Sequence, residues 1–137
     1  MSSYPGSRRL RERADTFALV KHNHMKKQTI QAGGIRIDFL LDAPDTNGAA
    51  TLFEFTVPAG AKVPVPHYHE GFDEAVYGLA GVMTFTVDGE RHDIAAGGTL
   101  FIPRGAVHGF DNHGRTDARS LAVITPGLLG PNYFKEM

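Results

Sequence analysis

The sequence predicts an all-β chain, and three observations predict it. Apolar and polar residues alternate over several short stretches, turn formers separate those stretches, and no segment carries the apolar period of a long amphipathic helix. The first clear strand is the alternation of Ile35, Ile37, Phe39 and Leu41 with Arg36 and Asp38. Ala43-Pro44-Asp45-Thr46-Asn47-Gly48 then reads as a loop. Phe53, Phe55 and Val57 alternate with Glu54 and Thr56 in the next strand, which Pro58-Ala59-Gly60 ends. His67-Tyr68-His69 is read as strand, Glu70–Asp73 as a turn, and Glu74 as the opening of a further strand. Met83, Phe85 and Val87 run into Asp88-Gly89, a two-residue hairpin signal, with Glu90–Ile94 returning. Gly97-Gly98 breaks the chain before a strand at Thr99–Ile102. Pro103-Arg104-Gly105 is expected to form a type I turn, with proline at its second position and glycine at the last. Val107–Phe110, the Asn112-His113-Gly114 turn and Arg119–Thr125 complete the series. This pattern suits a sandwich or a barrel and does not choose between them.

A length of 137 residues suits one domain, and no repeat or internal boundary breaks it. Residues 1–13 hold four arginines against one glutamate, net +3; the remainder holds ten basic and fourteen acidic residues, net −4. Residues 1–17 therefore read as a basic, partly disordered arm, and residues 18–137 as the folded domain. A twin-arginine export signal fails, because Ala14–Val20 is short and contains Asp15. An acidic body argues against nucleic acid as a partner. No apolar run approaches the roughly 20 residues of a membrane span. The chain has no cysteine, which excludes a disulfide framework, a thiolate metal site and a catalytic thiol, and fits a cytoplasmic location.

The chemistry is concentrated in His67-Tyr68-His69, Glu74 and His108. Residues i and i+2 of a strand share a face, so His67 and His69 present two nitrogens together while Tyr68 points away. Three imidazoles and one carboxylate form an N3O set for a divalent transition metal. Asp73 competes with Glu74 as the carboxylate, since strand parity cannot be counted through a turn. His22-Asn23-His24 copies the spacing without a carboxylate or third histidine nearby and reads as polar surface, as do His92 and His113. Asn112 before His113-Gly114 is explained by turn chemistry.

Two segments resemble the two motifs of the cupin superfamily. The first runs Gly60-x6-His67-x-His69-x4-Glu74-x6-Gly81, and the second Gly97-x5-Pro103-x-Gly105-x2-His108-x3-Asn112. The first carries six residues between its opening glycine and first histidine, where the family usually has five; this lengthens the loop Ala61–Pro66. Asn112 belongs to the second motif. The resemblance implies a double-stranded β-helix, a jelly-roll-like barrel with one divalent metal (Fe, Mn, Ni, Co, Cu or Zn) in its mouth, and it selects His67, His69, Glu74 and His108 as ligands.

Within that resemblance the chain is most similar to small quercetinase-like cupins, with Ile124-Thr125-Pro126-Gly127-Leu128 and Tyr133-Phe134 resembling their closing segment. That likeness implies a metal-dependent dioxygenase acting on a small aromatic or enolic substrate, with Glu74 as the catalytic proton acceptor. Inward positions Phe39, Phe55, Met83, Phe85 and Phe110 are the pocket candidates, although each also suits plain barrel core. A metal-dependent isomerase, cyclase or lyase is the alternative, followed by a non-catalytic small-molecule binder. A homodimer is expected, since a first strand around Ala18–Lys26 would otherwise leave an unpaired sheet edge.

Overall fold

The computed structural model describes residues 28–135. The basic arm, the edge strand around Ala18–Lys26 and the His22/His24 pair lie outside the described residues. The regular structure of the described residues is mostly strand: β1 Gln28–Ala32, β2 Ile35–Leu41, β3 Thr51–Val57, β4 Asp73–Ala80, β5 Val82–Val87, β6 Glu90–Ala95, β7 Thr99–Ile102, β8 His108–Asp111 and β9 Ala118–Thr125. Two single-turn helices, α1 Ala43–Thr46 and α2 Pro131–Lys135, accompany them.

The strands form a six-stranded sheet in the order β1-β2-β3-β9-β4-β7 and a three-stranded sheet in the order β6-β5-β8. All pairings are antiparallel, and β9 sits between β3 and β4, from Thr51↔Ile124 on one side to Glu74↔Ile124 on the other. The core lies between the sheets, where alternation delivers it. Ile35, Ile37 and Phe39 of β2, Phe53, Phe55 and Val57 of β3, and Met83 and Phe85 of β5 are all buried.

Turn chemistry holds where the sequence is explicit. Asp88 and Gly89 both take positive φ, +48° and +83°, as a type I′ hairpin requires, and Val87 pairs with Glu90 across it. The turn after β7 differs from expectation. Ala106 N–H donates to the Pro103 carbonyl at 3.2 Å, so proline holds the first position and Gly105 the third, with φ +85°. That is a type II turn, which demands a glycine at its third position. The stretch read as the loop 43–48 contains one helical turn, α1. Asp42 caps it and Asp45 returns the bond to the Asp42 N–H at 2.9 Å. Four residues carry no periodicity for a sequence to display.

Gly78 marks the join between the sheets. A Cβ there would stand 2.0 Å from the Ala95 carbonyl oxygen, so only glycine lets β4 pass the end of β6. Its backbone is paired with Gly97 and Gly98 at 2.9 Å each.

Candidate metal centre

His67 and His108 form an isolated antiparallel bridge rather than part of a long ladder. Each donates its backbone N–H to the other's carbonyl, at 2.8 and 2.7 Å, which sets the two rings 4.7 Å apart. The expected strand over His67-Tyr68-His69 is therefore reduced to that single bridge. What holds the rest extended is the turn after β7, where Gly105 N–H donates to the His69 carbonyl at 2.6 Å. The i, i+2 geometry survives: His67 and His69 rings lie 4.8 Å apart, while Tyr68 is 58% exposed.

The three histidines converge. One ring nitrogen from each of His67, His69 and His108 lies within 4.8 Å of the other two. His67 Nδ1 is 3.1 Å from the Val65 carbonyl, and His108 Nδ1 is 3.0 Å from the Ala106 carbonyl. A carbonyl only accepts, so each Nδ1 carries the hydrogen and each Nε2 keeps its lone pair. His69 is oriented differently, by stacking on Phe72 at 4.4 Å.

Glu74, the second residue of β4, has the inward parity of Val76 and lines the same cavity as the three histidines, outside their 4.8 Å cluster. Asp73, the competing carboxylate, faces the other way. It accepts from the Arg104 backbone at 2.9 Å and from the guanidinium at 3.2 and 3.0 Å. The Arg104 hydrogen bonds hold Asp73 below the usual carboxylate range. Burial pushes Glu74 up to about 7. Burial, reinforced by the charges of His67 and His108, lowers His69 to about 4, and burial also lowers His108.

These shifts describe the donor set a cation needs. Burial makes His69 and His108 resist protonation and makes Glu74 resist ionisation. No lysine or arginine lines the cavity among the described residues. A divalent ion would satisfy three neutral nitrogens and one carboxylate together, so the residues fit the metal that the motifs imply.

The cavity measures about 70 Å³, and its walls are mostly apolar and aromatic. Of the pocket candidates, Phe55 and Phe110 line it, 5.3 Å from each other. Phe39, Met83 and Phe85 do not: all are at most 1% exposed and belong to the solid core, with Phe85 behind Phe55 and Phe110. All five face inward by parity, but parity does not give depth along the barrel. The sequence reading missed Phe53, Tyr133 and Phe134 as wall residues. Phe134 packs on Phe39 and Phe53 at 5.8 and 5.5 Å and so fastens α2 across the cavity. Tyr133, 41% exposed, stands 5.8 Å from His69. The signal for Tyr133 and Phe134 was the aromatic pair near the chain's end, and that for Phe53 was its alternation with Phe55.

Asn112 is a brace. It donates to the Val57 and Thr116 carbonyls at 2.7 and 2.8 Å and accepts from Gly114 N–H at 2.9 Å. His92 and His113 lie on the surface beside Glu90 and Asp111, at 3.8 and 3.9 Å.

Two antiparallel sheets enclosing a cavity with three convergent histidines define a class of small β-barrels with a histidine-lined mouth. Residues 53–124 match the Cupin domain family, and the protein belongs to it. Residues of this chain are 33% identical over 89 positions to quercetin 2,3-dioxygenase from Bacillus subtilis. That match covers 64% of this chain and 25% of the relative, so the chain spans a quarter of that enzyme's length. Among solved structures, a predicted oxalate decarboxylase from Thermotoga maritima is similar at a TM-score of 0.66 and 27% identity, over 77% of this chain and 96% of that one. KdgF from Halomonas sp. shares the fold at a TM-score of 0.66 and 18% identity, over 78% and 91% of the two chains. No helix among the described residues is long and apolar enough to cross a membrane.

Proposed function

We propose that His67, His69, His108 and Glu74 hold one divalent transition metal and that the protein is a dioxygenase acting on a small enol or phenol. The observation that carries this reading is the pairing of two carbonyl-anchored imidazoles with a carboxyl poised near neutrality, in one apolar cavity. When bound, the metal supplies Lewis-acid activation of a substrate oxygen and, if redox-active, a route for electrons to dioxygen.

The chain's own residues supply the rest. Glu74, the carboxylate among the described residues lining the cavity, accepts the hydroxyl proton of an enol or phenol. Phe55, Phe110 and Tyr133 flank the substrate and keep water from it. Size is restricted. At about 70 Å³ the cavity is less than half the ~150 Å³ that admits benzene to an apolar protein cavity, so the reacting end enters and the remainder projects past Tyr133.

A metal-dependent isomerase or lyase is the second reading, favoured by the same Glu74, which can return its proton to a neighbouring carbon. Oxygen uptake separates the two. Protein loaded in turn with Fe, Mn, Ni, Co, Cu and Zn, after elemental analysis of the native material, is expected to consume dioxygen with small enols or phenols. Turnover without oxygen consumption would transfer the assignment to the isomerase or lyase, and ligand binding without turnover to a binding protein.

A further inference from the structure

The cavity of the metal centre holds one polar side chain that the proposed chemistry leaves unused. Of the residues lining it, His67, His69, Glu74, His108 and Tyr133 carry side-chain nitrogen or oxygen, and the rest are aliphatic, phenylalanine or proline. The first four are assigned to the metal. At two of the histidines the second ring nitrogen is also taken, by the Val65 and Ala106 carbonyls. The Tyr133 hydroxyl makes no hydrogen bond among the described residues. A group that can both donate and accept is therefore left over in the cavity wall.

The ring that carries this hydroxyl is held in place, while the hydroxyl is not. Phe134, the next residue of α2, meets Tyr133 edge-on at 5.2 Å and is itself packed on buried Phe39 and Phe53. His69 meets the Tyr133 ring at 5.8 Å and a steep 72°. Tyr133 N–H donates to the Gly130 carbonyl at 3.2 Å, which ties the residue to the start of its own turn. The aromatic part is thus fixed against a metal ligand, and the residue is still partly open to solvent. A substrate held at the metal and too long for the cavity passes this hydroxyl on its way out.

We propose that Tyr133 is the specificity-determining residue of the site: its hydroxyl hydrogen-bonds a second oxygen of the substrate, which is therefore an enol or phenol bearing a further hydroxyl or carbonyl group. The assignment rests on the metal reading above and goes beyond it, since the metal selects the first oxygen only. An oxygen brought among Phe53, Phe55 and Phe110 without a partner gives up its water and gains nothing. One that reaches Tyr133 exchanges that water for a fixed partner. A neutral hydrogen bond of this kind is worth about 2- to 12-fold in affinity. The competing role for Tyr133, a plain cover over the cavity, uses its ring alone.

Tyr133→Phe separates the two roles, because it deletes the oxygen and keeps both ring contacts. The full chain and the variant are each loaded with Co(II), and phenol, catechol, resorcinol and hydroquinone are titrated into both by calorimetry. The readout is the ratio of native to variant affinity, in which any advantage from chelation of the metal by two oxygens cancels. That ratio should be about one for phenol and about 2 to 12 for at least one dihydroxybenzene. Co(II) affinity and the circular-dichroism spectrum should be the same in the two proteins. A ratio of one for all four compounds would overturn the proposal. So would an equal loss for phenol and the dihydroxybenzenes, which would make Tyr133 a cover, or a Co(II)-loaded native protein that binds none of them. Failure of the metal reading looks different: the native protein then takes up no Co(II), and the assignment of Tyr133 falls with it.

Discussion

Asp73 and Glu74 are neighbours on β4, yet the two faces of that strand treat their carboxylates in opposite ways. Asp73 points outward to Arg104, accepts three hydrogen bonds from it and is held below the ordinary range. Glu74 points inward to a cavity of phenylalanines and imidazoles, and burial pushes it up to about 7. One step along a strand reverses the side-chain direction, and with it the solvent, the partners and the charge state. Outward, the carboxylate is finished by protein. Inward, it is left for a metal ion or a proton to finish.

The comparison is tested hardest by emptying the inward face of its ligands. His69→Ala removes one of three converging nitrogens, so metal content and activity should disappear together, as read by elemental analysis and turnover of the same preparation. Glu74→Gln keeps an oxygen for the metal but loses the proton acceptor. Metal content should persist while the rate falls about 10²–10⁴-fold. If metal and rate fall in step, Glu74 is a ligand and nothing more.

The pH dependence of metal binding sharpens the contrast further. Glu74, pushed up to about 7, holds a proton that a metal must displace at pH 5–7, whereas His69, lowered to about 4, holds none in that window. Affinity of the native protein should weaken by about tenfold for each unit below pH 7, and Glu74→Gln should flatten that slope. Calorimetric titration at pH 5, 6 and 7 measures both. Equal slopes in the two proteins would remove Glu74 from the binding equilibrium.

Smaller effects are expected in the stability of the metal-free protein, and their signs differ. The folded pKa of Glu74 lies above the 4.5 of the free group, so its stabilising contribution is full below pH 4.5 and is lost as pH rises to about 7. His69 has a folded pKa below the free 6.5, so its contribution is lost as pH falls from 6.5 to about 4. Denaturant melts should show Glu74→Gln gaining on the native chain between pH 4.5 and 7, by up to about 3 kcal/mol. Asp73→Asn should do the least. Its loss of stability should be small, confined to pH above the carboxylate range, and without effect on metal affinity. A loss of metal from Asp73→Asn would mean that the two faces are not independent.

Alternation made most of the strands legible. β7 occupies Thr99–Ile102 as read, and β2 spans Ile35–Leu41. The hairpin at Asp88-Gly89 was equally plain, because only two adjacent positive φ values explain that dipeptide so well. What escaped was structure set by contact rather than period. The turn at Pro103 was taken one residue out of phase, since proline suits the second position of a turn as well as it suits a strand's end. The histidine pair was legible from its spacing. Its support was not, because His69 is held extended by the backbone of Gly105, thirty-six positions away. The same limit explains the pocket. Phe55 and Phe85 both face inward, and only the third dimension shows that one lines a cavity and the other backs it.

The two carbonyls that fix the imidazoles share one relation: each lies two residues before the histidine it orients, Val65 for His67 and Ala106 for His108. The bond itself uses no side-chain atom at either carbonyl position. Ligand orientation is thus written into the course of the main chain, and many substitutions at exposed Val65 would leave it unharmed. The vulnerable residues are those that steer the backbone. Pro66 holds Val65 extended and fixes its own φ immediately before His67, and Gly105 supplies the left-handed step immediately before Ala106. The direction of two of the cavity's nitrogens therefore depends on the path of the backbone at Pro66 and Gly105 rather than on the side chains whose carbonyls they meet.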